Sequence, residues 1–276
     1  MAPPRCKKVS ICLLIGVVIA SAACMGWVLF IIHQSMAESE RHDFYSSISL
    51  SYTTTIKNVT IMLPVPGPNG TPVLADAFIN RSAPGIPRDW DLSIEEVKGT
   101  PMLVIRADRM VPEYHGYPIQ IEPGQSPLPA TVAPRTEYSL ETPVLWPVHI
   151  GTMVQVNRTI ETRDPIGREP VFAYTGKFTL MEESAGPHVE GKEYAHPVPV
   201  YVWFEQEQPA EFSFQANIEG INSIWRGGWI FNRYEDSVSV ELKGPQGWTE
   251  ARGTLRVGEG VYYTSGSDQG ERDGEI

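Results

Sequence analysis

In the stretch "SIWRGGWIF", Trp225 and Trp229 flank Arg226 and two glycines, a spacing that sets two large rings at the ends of a tight turn with a guanidinium between them. Rings held on a rigid scaffold stack on sugar faces or on cations, and Arg226 can hydrogen-bond hydroxyls or carboxylates. The competing reading is a turn whose tryptophans close the end of a core, since Trp is usually well buried. In "PHVEGKEYAHP", His188, Glu190, Glu193 and His196 fall within nine residues, and His188 and Glu190 share a face if the chain is extended. This is a donor set for zinc or another divalent ion, although no second cluster supplies the rest of a coordination sphere. An exposed polar loop accounts for the same residues. Carboxylates for glycosidase-type acid–base work are available in Asp89 and Asp91 around Trp90, and in Glu205, Glu207 and Glu211. Such a pair must sit about 5 to 10 Å apart across a cleft, which spacing along loops does not establish.

Other signatures of catalysis are missing. The chain has no G-x-S-x-G, no H-E-x-x-H, no phosphate-binding loop and no dinucleotide glycine motif, so no catalytic residue is assigned and no cofactor is called for. Its three cysteines, Cys6, Cys12 and Cys24, all lie at the N-terminus, which rules out a disulfide within the remainder. The net charge is −11, and three of the positive charges (Arg5, Lys7 and Lys8) sit at the very start, so the rest of the chain is more acidic still. Nucleic acid is disfavoured as a partner.

The elements that must position these residues begin with an apolar run. Residues 9–32 carry no charge and as a helix reach about 36 Å, enough to cross a bilayer core. Arg5, Lys7 and Lys8 lie before the run and Glu38, Glu40 and Asp43 after it, which predicts a cytoplasmic N-terminus and an external bulk. An uncut signal-anchor is the leading reading. Within "ASAACMGWVLFII", cleavage after Ala22 and lipid attachment at Cys24 are alternatives. Both would leave an apolar stretch on the mature chain with no evident use. Ala22 with Gly26, and Gly16 with Ala20, are small pairs of the kind that let membrane helices meet, although ordinary helix composition explains them as well.

After a polar stalk at 33–43, a period of two sets in. Phe44, Ile48, Leu50 and Tyr52 share one face, and the same alternation returns at 59–63, 172–180, 198–204, 212–218 and 238–242. Further strand candidates are 73–79, 92–97, 102–107, 117–121 and 152–160, and the run ending at Leu255 and Val257 pairs with 238–242 across "GPQG". The link 205–211, "EQEQPAE", reads as a hairpin connection. Eight prolines between 112 and 148 mark a loop-rich crossing segment. The expected fold is an N-terminal transmembrane helix followed by an all-β ectodomain of antiparallel β-sandwich architecture. It is divided into a β-rich region 44–168 and a sandwich 169–264, two packed β units, with a disordered acidic tail at 265–276.

Sequons at Asn58, Asn69, Asn80 and Asn157 complete the layout. The basic "RCKK", the single apolar span, the sequons and the cysteine-free acidic β region together resemble single-pass surface proteins of archaea. The resemblance is one of organisation and carries no active site; it implies the outer cell face and N-glycosylation. The expected function is a non-enzymatic cell-envelope domain that binds a surface glycan or an envelope protein. The alternative is a membrane-tethered hydrolase acting on glycans.

Overall fold

Alternating side chains over 44–52 require an extended chain with one wet and one dry face. The computed structural model, which describes residues 4–67, 74–115, 144–172, 177–186 and 189–261, places them in strand β1 (Arg41–Tyr52). Ahead of β1 runs one helix, α1 (Pro4–Glu38). Its segment Gly16–Glu38 is long and apolar enough to cross a membrane, and none of it is buried against the rest of the protein. Next come β2 (Ile56–Pro64), the short helix α2 (Ala75–Ile79), β3 (Trp90–Val97), β4 (Thr100–Met110), β5 (Glu113–His115) and β6 (Val144–Trp146). The chain continues through β7 (Val148–Gln155), β8 (Thr179–Gly186), β9 (Val189–Gln206), β10 (Phe212–Trp225), β11 (Trp229–Leu242) and β12 (Gly247–Gly260).

All strand pairs are antiparallel. β5 and β6 form a small ribbon, and the other ten strands form one sheet, nine of them in the order β3-β4-β2-β9-β12-β11-β10-β1-β7 with β8 off this path. β8 pairs with the early half of β9 and β2 with its late half, on the same edge. The sheet curls until β1 faces β2, β3 and β4 across a core in which Ile48, Leu63, Leu74, Phe78, Ile94 and Phe172 meet. Residues after α2 bridge the gap between the two ends of the sheet. There the Gly151 N–H donates to the Pro84 carbonyl at 3.2 Å. Gly85, at φ 91°, passes so close to β7 that a Cβ would overlap the His149 carbonyl.

Several expectations need correction. No stalk separates helix from sheet: 33–38 continue α1, only Ser39 and Glu40 intervene, and Arg41–Asp43 already pair with β10. The link 205–211 is not a hairpin, because β12 and β11 lie between β9 and β10. Residues 75–79 are helical rather than extended. The regions 44–168 and 169–264 are not separate units either, since β2 lies against β9 and β1 lies between β10 and β7. β7 ends at Gln155, and after Val156, whose N–H still donates to the His42 carbonyl of β1 at 2.8 Å, the chain leaves the sheet and packs into its open end. The strand expected at 117–121, most of the Pro-rich segment and the acidic tail lie outside the described residues.

Candidate binding groove and the buried polar cluster

Strands β1 and β10 are antiparallel, so the domain has one end at α1 and another at the far end of β1. At the far end a groove of about 500 Å³ is lined by Tyr52, Asp89, Arg109, Glu113, Trp146 and His149, among others. Tyr52 is the last residue of β1, Asp89 immediately precedes β3, Arg109 is near the end of β4 and His149 is on β7. Glu113 and Trp146 are cross-strand partners in the β5–β6 ribbon. The ribbon is held over the sheet end by the Tyr114 hydroxyl, which donates to the Thr53 carbonyl at 2.7 Å. Trp146 is 59% exposed, whereas Trp90 at the groove's base is buried.

The electrostatics of this groove converge on Tyr52. Its hydroxyl pKa is pushed up to about 12, first by burial and then by the negative charges of Glu113 and Asp89. Two carboxylates therefore act on one spot, in a groove that Trp146 and Arg109 also line. A second hollow of about 450 Å³ shares Arg109 and is lined by Thr54, Lys57, Glu205, Gln206 and Glu207. There the Lys57 ammonium donates to Glu207 at 2.6 Å and holds that carboxyl below its usual range. Of the carboxylates picked out by the sequence, Asp89 lines the first groove and Glu205 and Glu207 line the second. Asp91 is on β3 opposite Arg106, and the Glu211 N–H bonds Thr53 Oγ1. Nothing in the local sequence of Glu113 ties it to Asp89; the β3–β4 hairpin and the β5–β6 ribbon do so.

Trp225 and Trp229 are 39% and 58% exposed at the tip of the β10–β11 hairpin, directly opposite each other, with Arg226 also exposed between them. Gly227, at φ 76°, makes the turn. This tip is at the α1 end of the domain, away from the groove, and the Trp225 N–H donates to Ser39 Oγ at 2.9 Å. Of the metal candidates, His188 lies outside the described residues. Glu190 is six residues from His196 on β9, about 20 Å along an extended strand. Among the described residues no group of three or more His, Cys, Asp or Glu is placed to hold a metal ion.

His196 instead belongs to a buried polar cluster inside the α1 end of the curled sheet. Its Nε2 lies 2.7 Å from Asp236 Oδ1, and Asp236 Oδ2 accepts the Phe172 N–H at 2.7 Å. Burial pushes the Asp236 carboxyl up and the His196 bond draws it back down. Asn222 receives the Ile160 N–H and donates both to the Ile160 carbonyl and to Asn232, which also accepts from the Thr162 hydroxyl. The Tyr234 hydroxyl donates to the Pro170 carbonyl. Glu169, 1% exposed, takes both arms of the Arg158 guanidinium at 2.5 Å and the Glu161 N–H. These bonds tie 158–172 into the sheet as a plug. Comparison of the chain with family models, curated proteins and solved structures finds no match. Three sequon asparagines, Asn58, Asn80 and Asn157, are exposed, and Asn69 lies outside the described residues.

Proposed function

We propose that the protein is held in a membrane by α1, N-terminus inside, and displays its β domain outside as a binding module for a surface glycan or a neighbouring envelope protein. The observation that carries the binding reading is the groove at the end of the domain farthest from α1. It offers an exposed Trp146 ring for stacking, Arg109 as a donor and Asp89 and Glu113 as acceptors for hydroxyls. Charged residues on either side of α1's apolar run, with Arg5, Lys7 and Lys8 before it and Glu38 and Glu40 after it, support the orientation. Three exposed sequons fit an external, glycosylated domain.

Trp146→Ala is expected to weaken binding of the full chain to a panel of acidic and neutral polysaccharides by about 1 to 3 kcal/mol, or roughly 5- to 150-fold. The melting temperature should stay close to wild type, because the ring is already exposed. Unchanged binding to every polysaccharide retained by the wild type would remove the groove from the proposal.

A second reading, a tethered glycan hydrolase, is favoured by one feature, the joint action of Asp89 and Glu113 on the same groove. Release of reducing sugar ends by the wild type, lost in Asp89→Asn and Glu113→Gln while binding persists, would support it. No release over long incubation leaves the binding module as the function. Membrane-extracted protein is expected to keep the residues before Ala23, as read by intact mass. A mature chain beginning at Ala23, or at a lipid-modified Cys24, would overturn the anchor.

A further inference from the structure

The β10–β11 tip carries three exposed aromatic rings at the α1 end of the domain. Trp225 and Trp229 face each other across the hairpin, and Phe231, two residues on and therefore on the same face as Trp229, is 41% exposed. Val261, 50% exposed, lies beside it, its N–H donating to the Phe231 carbonyl at 2.9 Å. An apolar cluster of this kind on a domain surface ordinarily marks a contact.

The joint to α1 identifies what it contacts. Ser39 Oγ donates to the Met36 carbonyl at 2.6 Å and accepts the Trp225 N–H at 2.9 Å, so the tip is fastened to the last turn of the helix. Only Ser39 and Glu40 separate helix from sheet, and the Glu40 N–H is itself bonded back to the Ala37 carbonyl. From Ile32, the end of the uncharged run, to Ser39 is seven residues, about 10 Å along the axis. The stretch without Asp, Glu, Lys or Arg runs on from Val9 to Ala37, 29 residues or about 43 Å of helix, which matches the roughly 40 to 45 Å of core plus headgroups and sets Ser39 about 3 Å beyond the outer headgroup edge. β10 runs toward α1, so its turn projects past Trp225 in the direction of the bilayer. The two indoles thus fall at headgroup depth, where amphipathic rings are most stable.

From this placement we infer that the Trp225–Trp229 tip is an interfacial anchor: its rings enter the headgroup layer of the same membrane that α1 crosses. The inference rests on the reading of α1 as a membrane span. Together the two contacts, one through the bilayer and one into its surface, hold the domain upright rather than letting it swing about Ser39. Trp225 and Trp229 then serve lipid, and the far groove is left for ligand.

The test uses the full chain reconstituted into phosphatidylcholine vesicles whose acyl chains carry bromine either near the headgroup or near the chain end. Bromine quenches tryptophan at its own depth. Trp27, 65% exposed within the apolar run of α1, reports insertion of the helix through deep bromines. Near-headgroup bromines are expected to quench the wild type, and Trp225→Phe with Trp229→Phe should remove most of that shallow quenching. Trp146→Phe should leave it intact. Equal shallow quenching in the wild type and the double variant would overturn the inference while deep quenching of Trp27 keeps the span. Absence of deep quenching would remove the span and the inference together. Phe retains an aromatic ring at each exposed position, and an unchanged melting curve confirms that the variants are folded.

Discussion

Replacing Asp236 by alanine is expected to cost the domain about 3 to 5 kcal/mol, the range for removing one partner of a buried, hydrogen-bonded pair. Asp236 is fully buried and accepts two bonds of 2.7 Å, from the His196 ring and from the Phe172 N–H. Its loss strands both donors. The His196 ring is 3% exposed and its Nδ1 has no protein partner among the described residues, so after the substitution neither ring nitrogen is satisfied. The Phe172 N–H belongs to the plug, whose detachment would open the α1 end of the sheet. Asp236→Asn keeps an oxygen for Phe172 and is expected to lose less. Urea midpoints at constant slope measure both losses, and a loss below about 1 kcal/mol for alanine would show that the cluster contributes little to the fold.

Gly253→Ala should cost about 2 to 4 kcal/mol for a different reason, overpacking together with a weakened His196–Asp236 bond. Gly253 lies on β12 directly opposite His196 of β9, and a Cβ there would overlap the imidazole ring. The ring has nowhere to retreat. Phe178 packs against it with centroids 5.0 Å apart, and Asp236 holds its other side. A double-mutant cycle separates this from a general cost of alanine in the strand. On a His196→Ala background the space is vacated, and Gly253→Ala should lose most of its penalty. An equal penalty in both backgrounds would place the conflict elsewhere.

How far the sequence reveals this molecule depends on which face of a strand is in question. Phe44, Ile48 and Leu50 alternate with serines and Tyr45, and Phe212, Phe214 and Ala216 alternate with polar residues, so both strands are plain from period alone. The same period carries a signal that is easy to overlook. On β11 the inward positions that continue from Val238 and Val240 toward α1 are Asp236, Tyr234 and Asn232, polar groups where apolar ones are expected. That reversal on the buried parity is the available clue to the plug, because buried polar groups must be paired. Their partners, in His196, Phe172, Pro170 and Thr162, come from distant stretches that no local pattern links to β11.

Strand order is hidden for a related reason. The apolar runs on either side of 205–211 look like two arms of a hairpin, and only long-range pairing inserts β12 and β11 between them. Residues 75–79 complete barely more than one helical turn, too short for a 3.6-residue period to show. The groove is legible in part. Asp89 stands out beside a tryptophan, but Glu113, Trp146 and Arg109 acquire their meaning only when the β5–β6 ribbon is laid over the end of the sheet.

The central position of β12 governs when this domain can be built. β12 joins β9 to β11, so before Gly247–Gly260 is in place the chain holds two partial sheets, β3-β4-β2-β9 and β11-β10-β1-β7, whose facing edges have no partner. A chain that emerges N-terminus first delivers β1 early, yet the β10 partner of β1 begins only at Phe212. Contacts so distant in sequence close slowly. Assembly is therefore a late event that waits for emergence of β12, and under the proposed anchoring α1 would meanwhile hold the unfinished chain at the membrane. Interruption of synthesis after Leu242 would leave two exposed strand edges, and on a chain anchored as proposed they would be concentrated on a two-dimensional surface, where edge-to-edge association between copies competes strongly with folding.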